Sequence, residues 1–148
     1  MLKHKRTIFV AVLIAFIISG CMTKSESEVL EEVTDIAEEI FLTCEMTERE
    51  HNINDDLAIY LPNRMSIEEI EENNVIINDG EQTFILFYNP FESPESDLNY
   101  EIAQQETSLL LETFEEDDKF GYIQVVDEDG EYRIQVSVGG IKMTTITT

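Results

Sequence analysis

Two cysteines, two histidines and 32 carboxylates are the side chains of this 148-residue chain best suited to chemistry. Paired carboxylates can serve as acid, base or nucleophile in glycosidase-type reactions, but at this density no one pair is informative. Asp127-Glu128-Asp129-Gly130-Glu131 has the composition of a calcium loop, yet Gly130 stands fourth from Asp127, where an EF-hand needs its glycine sixth and a glutamate twelfth. It reads as a hairpin turn. Glu115-Glu116-Asp117-Asp118 and Glu68-Glu69-Ile70-Glu71-Glu72 read as solvated loops or faces, with weak divalent-cation binding as the alternative. Gly139-Gly140 reads as a bulge or tight turn, since no helix start follows to complete a phosphate cradle. Cys21 is placed differently. It closes an apolar run, Thr7 to Ile18, that begins just after Lys3, Lys5 and Arg6, with Ser19 and Gly20 intervening.

A basic start, an apolar run and small residues before a boundary form the layout of a secretory signal. The run is about 12 residues long, and a bilayer-spanning helix takes roughly 20. Residues 1–21 therefore resemble a bacterial lipoprotein signal. The resemblance implies that residues 1–20 are removed and that the Cys21 thiol receives a diacylglyceryl group. The rest of the chain would then be held on the extracytoplasmic face of the cell membrane, since two acyl chains suffice for stable attachment. A buried cysteine or an uncleaved anchor fits poorly with the polar stretch from Thr23 to Glu28 that follows at once.

With Cys21 committed to lipid, Cys44 is the one thiol left, so no intramolecular disulfide can form. Cys44 falls on an apolar stripe and reads as a small core residue. His51 is the histidine remaining beyond the signal, and it reads as standing in a polar loop. A Ser-His-Asp or Cys-His arrangement would have to be built around it, and a surface histidine is the better reading. Zinc sites draw on several Cys or His ligands, too many for this chain. No catalytic residue, metal site or cofactor is expected, and the chain reads as not an enzyme.

Lys3, Lys5 and Arg6 are three of the nine basic residues, so from Cys21 onward 6 Lys/Arg face 32 Asp/Glu, a net charge of −26. Phosphate binding needs cations to neutralise the backbone, so a nucleic-acid partner is excluded. The same field opposes anionic headgroups, leaving attachment to the lipid on Cys21. The acidic excess also resembles extracytoplasmic proteins of halophilic or alkaliphilic bacteria, with plain solubility as the alternative.

About 128 residues from Cys21 onward, in a chain 43% apolar, suit one domain over residues 28–148 after a short tether at 21–27. Extended, the tether reaches roughly 20 Å. The sequence predicts a first helix from Ser27 to Thr47 with Val29, Val33, Ile36, Ala37, Ile40, Phe41 and Cys44 as its core stripe. Leu57, Ile59 and Leu61 alternate as a strand, and Met65 to Glu72 reads as another, although Ser66 with Glu69 would also fit a capping box. Val75–Ile77, Asn78-Asp79-Gly80 and Gln82–Tyr88 form a hairpin. Phe84, Leu86 and Tyr88 face one side and Ile85 and Phe87 the other, predicting a central strand covered on both faces. A second helix is predicted from Ser96 or Asp97 to Phe114, with Leu98, Ile102, Leu109, Leu110 and Phe114 buried. Phe120–Asp127 and Glu131–Val138 pair through Asp129-Gly130, the latter strand nearer an edge with Arg133, Gln135 and Ser137 wet, and Ile141–Ile146 closes the sheet.

The fold class expected is α+β: one largely antiparallel sheet of about six or seven strands with two helices. This order, with Tyr60-Leu61-Pro62 leading into the first hairpins, resembles the PsbP-like α/β/α fold of small secreted and membrane-attached proteins. The resemblance spans residues 57–147 and carries no functional residue across. It implies an assembly or adaptor factor without catalysis, and fold alone does not decide function. The expected function is a membrane-anchored binding or adaptor module with an envelope protein as partner. A cation-binding surface lipoprotein is the alternative, and an enzyme of unrecognised type a remoter one. A two-lobed solute receptor would need roughly twice this length. Asn89-Pro90-Phe91-Glu92-Ser93-Pro94 stiffens an aromatic between prolines. Phe91 either folds back onto the core or is offered to a partner.

Overall fold

The computed structural model describes residues 24–43, 50–54 and 57–148. Cys21 with the signal-like run before it, and Cys44, lie outside them. The elements are α1 (Glu26–Thr43), β1 (Glu50–Asn52), β2 (Ala58–Tyr60), β3 (Ser66–Glu71), β4 (Asn74–Asn78), β5 (Thr83–Tyr88), α2 (Leu98–Ala103), β6 (Leu110–Glu116), β7 (Lys119–Glu128), β8 (Glu131–Val138) and β9 (Ile141–Thr147). The fold is α+β and predominantly sheet, as the sequence predicts. Seven strands form one antiparallel sheet in the order β3-β4-β5-β9-β8-β7-β6, and β1-β2 form a separate pair. Two meanders, β3 to β5 and β6 to β9, are thus joined along β5 and β9.

The chain divides into a unit ending at Glu32 and a unit from Val33 to Thr148 that holds every strand. In the first, Ser25 and Glu28 form a capping box: the Ser25 hydroxyl accepts from the Glu28 amide at 3.3 Å and the Glu28 carboxylate accepts from the Ser25 amide at 2.8 Å. In the second, the last turns of α1 reach the sheet through Phe41, which stacks on Phe114 with ring centroids 5.7 Å apart. A Cβ on Gly121 would stand 2.9 Å from the Phe41 ring, so only glycine admits this approach. The last turn of α1 has no basic residue of its own. Lys119 supplies the charge from the sheet, donating to the Phe41 carbonyl while paired with Glu116 at 2.7 Å. The predicted core stripe of α1 is corrected: Phe41 is buried, but Val29, Ile36 and Ile40 are exposed, Ile40 by 64%. Among the described residues, Leu30, Val33, Thr34 and Ala37 are the half-buried ones.

The core sits where β1-β2 and their flanks cover one face of β4 and β5. Leu61, Val75, Ile77 and Leu86 are buried there, with Leu57, Ile59, Met65 and Phe84 against them. β5 lies inside the sheet as predicted, yet only one of its faces is well covered, Phe87 being no more than half-buried on the other. Ile85 is 47% exposed there, because the second helix is too short to reach it.

That helix is the largest departure. It spans only Leu98–Ala103, with Leu98 and Ile102 exposed, and Leu110 to Phe114 are strand. Leu109, Leu110 and Phe114 also satisfy helical spacing, but unbroken pairing of β6 with β7, Leu110↔Val125 to Glu116↔Lys119, outweighs it. Two further readings change with it. β8 is interior rather than near an edge, and Ser137 is buried while Val136 and Val138 are substantially exposed. The cause is α2, which packs Tyr100 on Phe120 and Tyr122 and so roofs the face the alternation marked as wet. Beneath it Gln124 is 0% exposed, donating to the Ala103 carbonyl at 3.0 Å and the Ser108 hydroxyl at 2.8 Å.

The hairpins follow their turn residues. Asp129 (φ 58°) and Gly130 (φ 96°) both take positive φ, as a tight two-residue turn requires. At the β4–β5 turn Asp79 accepts the Gln82 amide at 2.8 Å and the Glu81 amide at 3.1 Å, which holds its carboxyl below the usual carboxylate range.

Candidate functional site

At the end of β5 the chain enters the loop Asn89–Pro94, and this loop has been made rigid. The Asn89 amide donates to the Gly140 carbonyl at 2.8 Å, prolonging the pairing of Tyr88 with Ile141. The Asn89 side-chain carbonyl accepts the Phe91 amide at 3.1 Å, an Asx turn across Pro90. Glu92 is held between Asn89 Nδ2 at 2.6 Å and the Ser96 hydroxyl at 2.8 Å. Downstream, the Pro94 carbonyl accepts the Phe120 amide at 2.9 Å, tying the loop to β7.

The β8–β9 turn is shaped to receive it. Gly139 has φ 53°, and a Cβ there would stand 2.4 Å from the Ser93 carbonyl oxygen; one on Gly140 would stand 2.7 Å from the Asn89 oxygen. Neither contact is possible without moving the backbone. Asn99, buried on α2, donates to the Gly139 carbonyl at 2.9 Å and fixes the turn from behind.

All this order leaves the loop's aromatic outside. Phe91 is 96% exposed. It stands at the rim of a cleft of about 660 Å³ whose apolar wall is made by Leu57, Tyr88, Val138 and Ile141. The floor is firm: the Tyr88 hydroxyl donates to the Glu72 carbonyl at 3.1 Å and accepts from Asn54 Nδ2. Burying a phenylalanine side chain is worth about 1.5–3 kcal/mol. The domain forgoes that at Phe91 while ordering the backbone around it. An aromatic held rigidly beside an apolar cleft can dock another molecule with little entropic cost, which is how binding hot spots are built.

The fold-back reading of Phe91 is therefore corrected: the ring is exposed and does not anchor the loop on the core. Asn89-Pro90 was the sequence signal for the turn. Leu57, Val138 and Ile141 carried none, because the cleft forms only when β2, β5, β8 and β9 come together. The remaining candidates are scattered. His51 lies in strand β1, paired with Ile59, not in a loop, and its Nε2 is buried without a hydrogen-bond partner among the described residues. Glu68–Glu72 lie on edge strand β3 and the turn after it, Glu115–Asp118 at the β6–β7 turn, and Asp127 accepts the Gly130 amide at 3.0 Å inside its hairpin. Among the described residues no three His, Cys, Asp or Glu side chains are grouped to hold a metal ion. No described helix is long and apolar enough to cross a membrane. Comparison with protein families, curated proteins and solved structures finds no match to this chain.

Proposed function

We propose that this protein is a non-catalytic binding or adaptor module of the cell envelope. It is held on the extracytoplasmic face of the membrane by lipid on Cys21, and it docks a protein partner through Phe91 and the cleft beside it. The anchor rests on the lipoprotein-like layout of residues 1–21. One observation carries the docking reading: Phe91 is 96% exposed on a loop whose backbone is pinned from both sides. Among the exposed large apolar side chains of the described residues, Phe91 stands out by degree, with Ile40 next at 64%.

Two measurements on cells producing the protein test the two halves separately. Membrane fractionation of Cys21→Ser should move the domain out of the membrane pellet; a variant that stays there after signal cleavage overturns the anchor. A photo-crosslinking residue at position 91 should capture a discrete protein that the same residue at position 83, exposed elsewhere on the sheet, does not. Identical capture from both positions, or none from 91, overturns the docking reading.

A further inference from the structure

The seven-stranded sheet ends in two edges, and they are finished differently. At one, β3 carries a bulge between Ile67 and Glu69. A bulge breaks the flat row of backbone groups that a passing strand would need. At the other, β6 keeps unbroken register with β7 from Leu110 to Glu116, has no proline and no bulge, and has no strand beyond it among the described residues. Alternate residues of such a strand turn their N–H and C=O groups outward, unpaired.

The side chains along β6 are unfinished in the same direction. Leu110 and Phe114 lie on one face, opposite Val125 and Gly121, and Leu111 lies on the other, opposite Gln124; all three are half-buried. An eighth strand would give each a further neighbour. Glu112 and Glu115 are exposed on opposite faces of the same edge, with Glu116 at its end. A second copy laid along β6 would bring both sets of carboxylates onto one seam, in a chain already at −23. Like charges at neighbouring cross-strand positions are destabilising, and opposite ones stabilise. The edge is thus closed to its own kind and open to an extended segment carrying Lys or Arg.

We propose that β6 is a docking edge for an extended basic segment of another protein, which adds to the sheet as an eighth strand. Main-chain hydrogen bonds to β6 supply the affinity, and Glu112 and Glu115 supply the selection. This site is distinct from the Phe91 loop and does not depend on it.

The test uses a synthetic peptide of about ten residues in which pairs of Lys alternate with pairs of Val, so that both faces of the added strand carry Lys for Glu112 and Glu115, within the length of ordinary strands. Its control is the same sequence N-methylated along the whole backbone, with identical charge and no N–H donors. The first peptide should bind the protein and slow hydrogen exchange at β6 amides, leaving β3 amides unchanged. The N-methylated peptide should bind at least about tenfold more weakly, since charge alone remains to it. Glu112→Lys/Glu115→Lys should weaken the first peptide by about tenfold, from the loss and reversal of two cross-strand pairs. Equal binding of the two peptides shows charge attraction without strand addition and overturns the proposal. So does protection at β3 instead of β6, or no binding by the alternating peptide.

Discussion

Phe91 and Gly139 make opposite demands on the same loop, and they separate the proposed docking role from stability. Phe91 touches almost nothing in the domain, so Phe91→Ala should leave stability within about 0.5 kcal/mol of the parent. Gly139→Ala meets the Ser93 carbonyl at an impossible distance and forces a side chain onto positive φ, and should cost about 1–3 kcal/mol. Urea unfolding of both variants decides this; equal losses would mean that Phe91 packs on the domain after all. Tyr122 offers a second test at this scale. Burial under α2 pushes its phenol up from 10.0 to about 12. Between those values the folded state holds a proton that the unfolded chain has released, so this contribution is intact below pH 10 and is lost as pH climbs toward 12. Tyr122→Phe keeps the ring against Tyr100 and cannot ionise. Its stability should therefore fall by about 2–3 kcal/mol less than the parent's across that window, as followed by urea melts at a series of pH values. Parallel pH profiles would show that the phenol is not held neutral by burial.

At the scale of elements, β5 tests whether its second face lies beyond the reach of α2. Leu86 points into the core under β1-β2, and its neighbour Ile85 points to the open face. Leu86→Asp should unfold the protein, since an unpaired buried carboxylate costs several kcal/mol. Ile85→Thr should be tolerated within about 1 kcal/mol. Similar circular-dichroism melting temperatures for the two would reverse the assignment of faces. The alternation of Phe84 to Tyr88 was plain in the sequence, and so were the turns at Asp79-Gly80 and Asp129-Gly130, because both signals are local. What lay beyond the sequence was coverage. The residues that seal or expose a face belong to elements far away in the chain: α2 seals Ser137 and Gln124, and nothing described seals Ile85. Leu109 to Phe114 failed for a related reason. Their spacing suits a helix and a strand alike, and only the partner β7 decides between them. The Phe91 loop was half legible: Asn89-Pro90 announced a turn, but the two glycines that seat it are some fifty residues away in β8–β9.

Over the whole molecule the governing quantity is charge. From Cys21 onward 6 cationic side chains stand against 32 carboxylates, and three of the described cations are already spent locally. Lys119 caps α1 with Glu116 beside it, Lys24 pairs with Glu32, and Arg133 binds Glu106 at 2.7 Å and Glu128 at 2.6 Å, contacts that hold its guanidinium above its ordinary pKa. The unpaired carboxylates repel one another more in the compact state than in the unfolded chain. Salt shortens the screening length from about 30 Å at 0.01 M to about 10 Å at 0.1 M, so the melting temperature of the purified protein should climb over that range. Sodium and calcium salts should act alike at equal ionic strength if the repulsion is diffuse, because no acidic group among the described residues forms a cage. A specific calcium site would instead raise the melting temperature in a saturable way, by RT ln(1 + [L]/Kd), with magnesium doing less. A saturable, calcium-selective rise would replace the adaptor reading with cation binding. A melting temperature indifferent to salt would show that the acidic surface opposes folding too weakly to matter, and that the few cations already placed at α1 and Arg133 are enough.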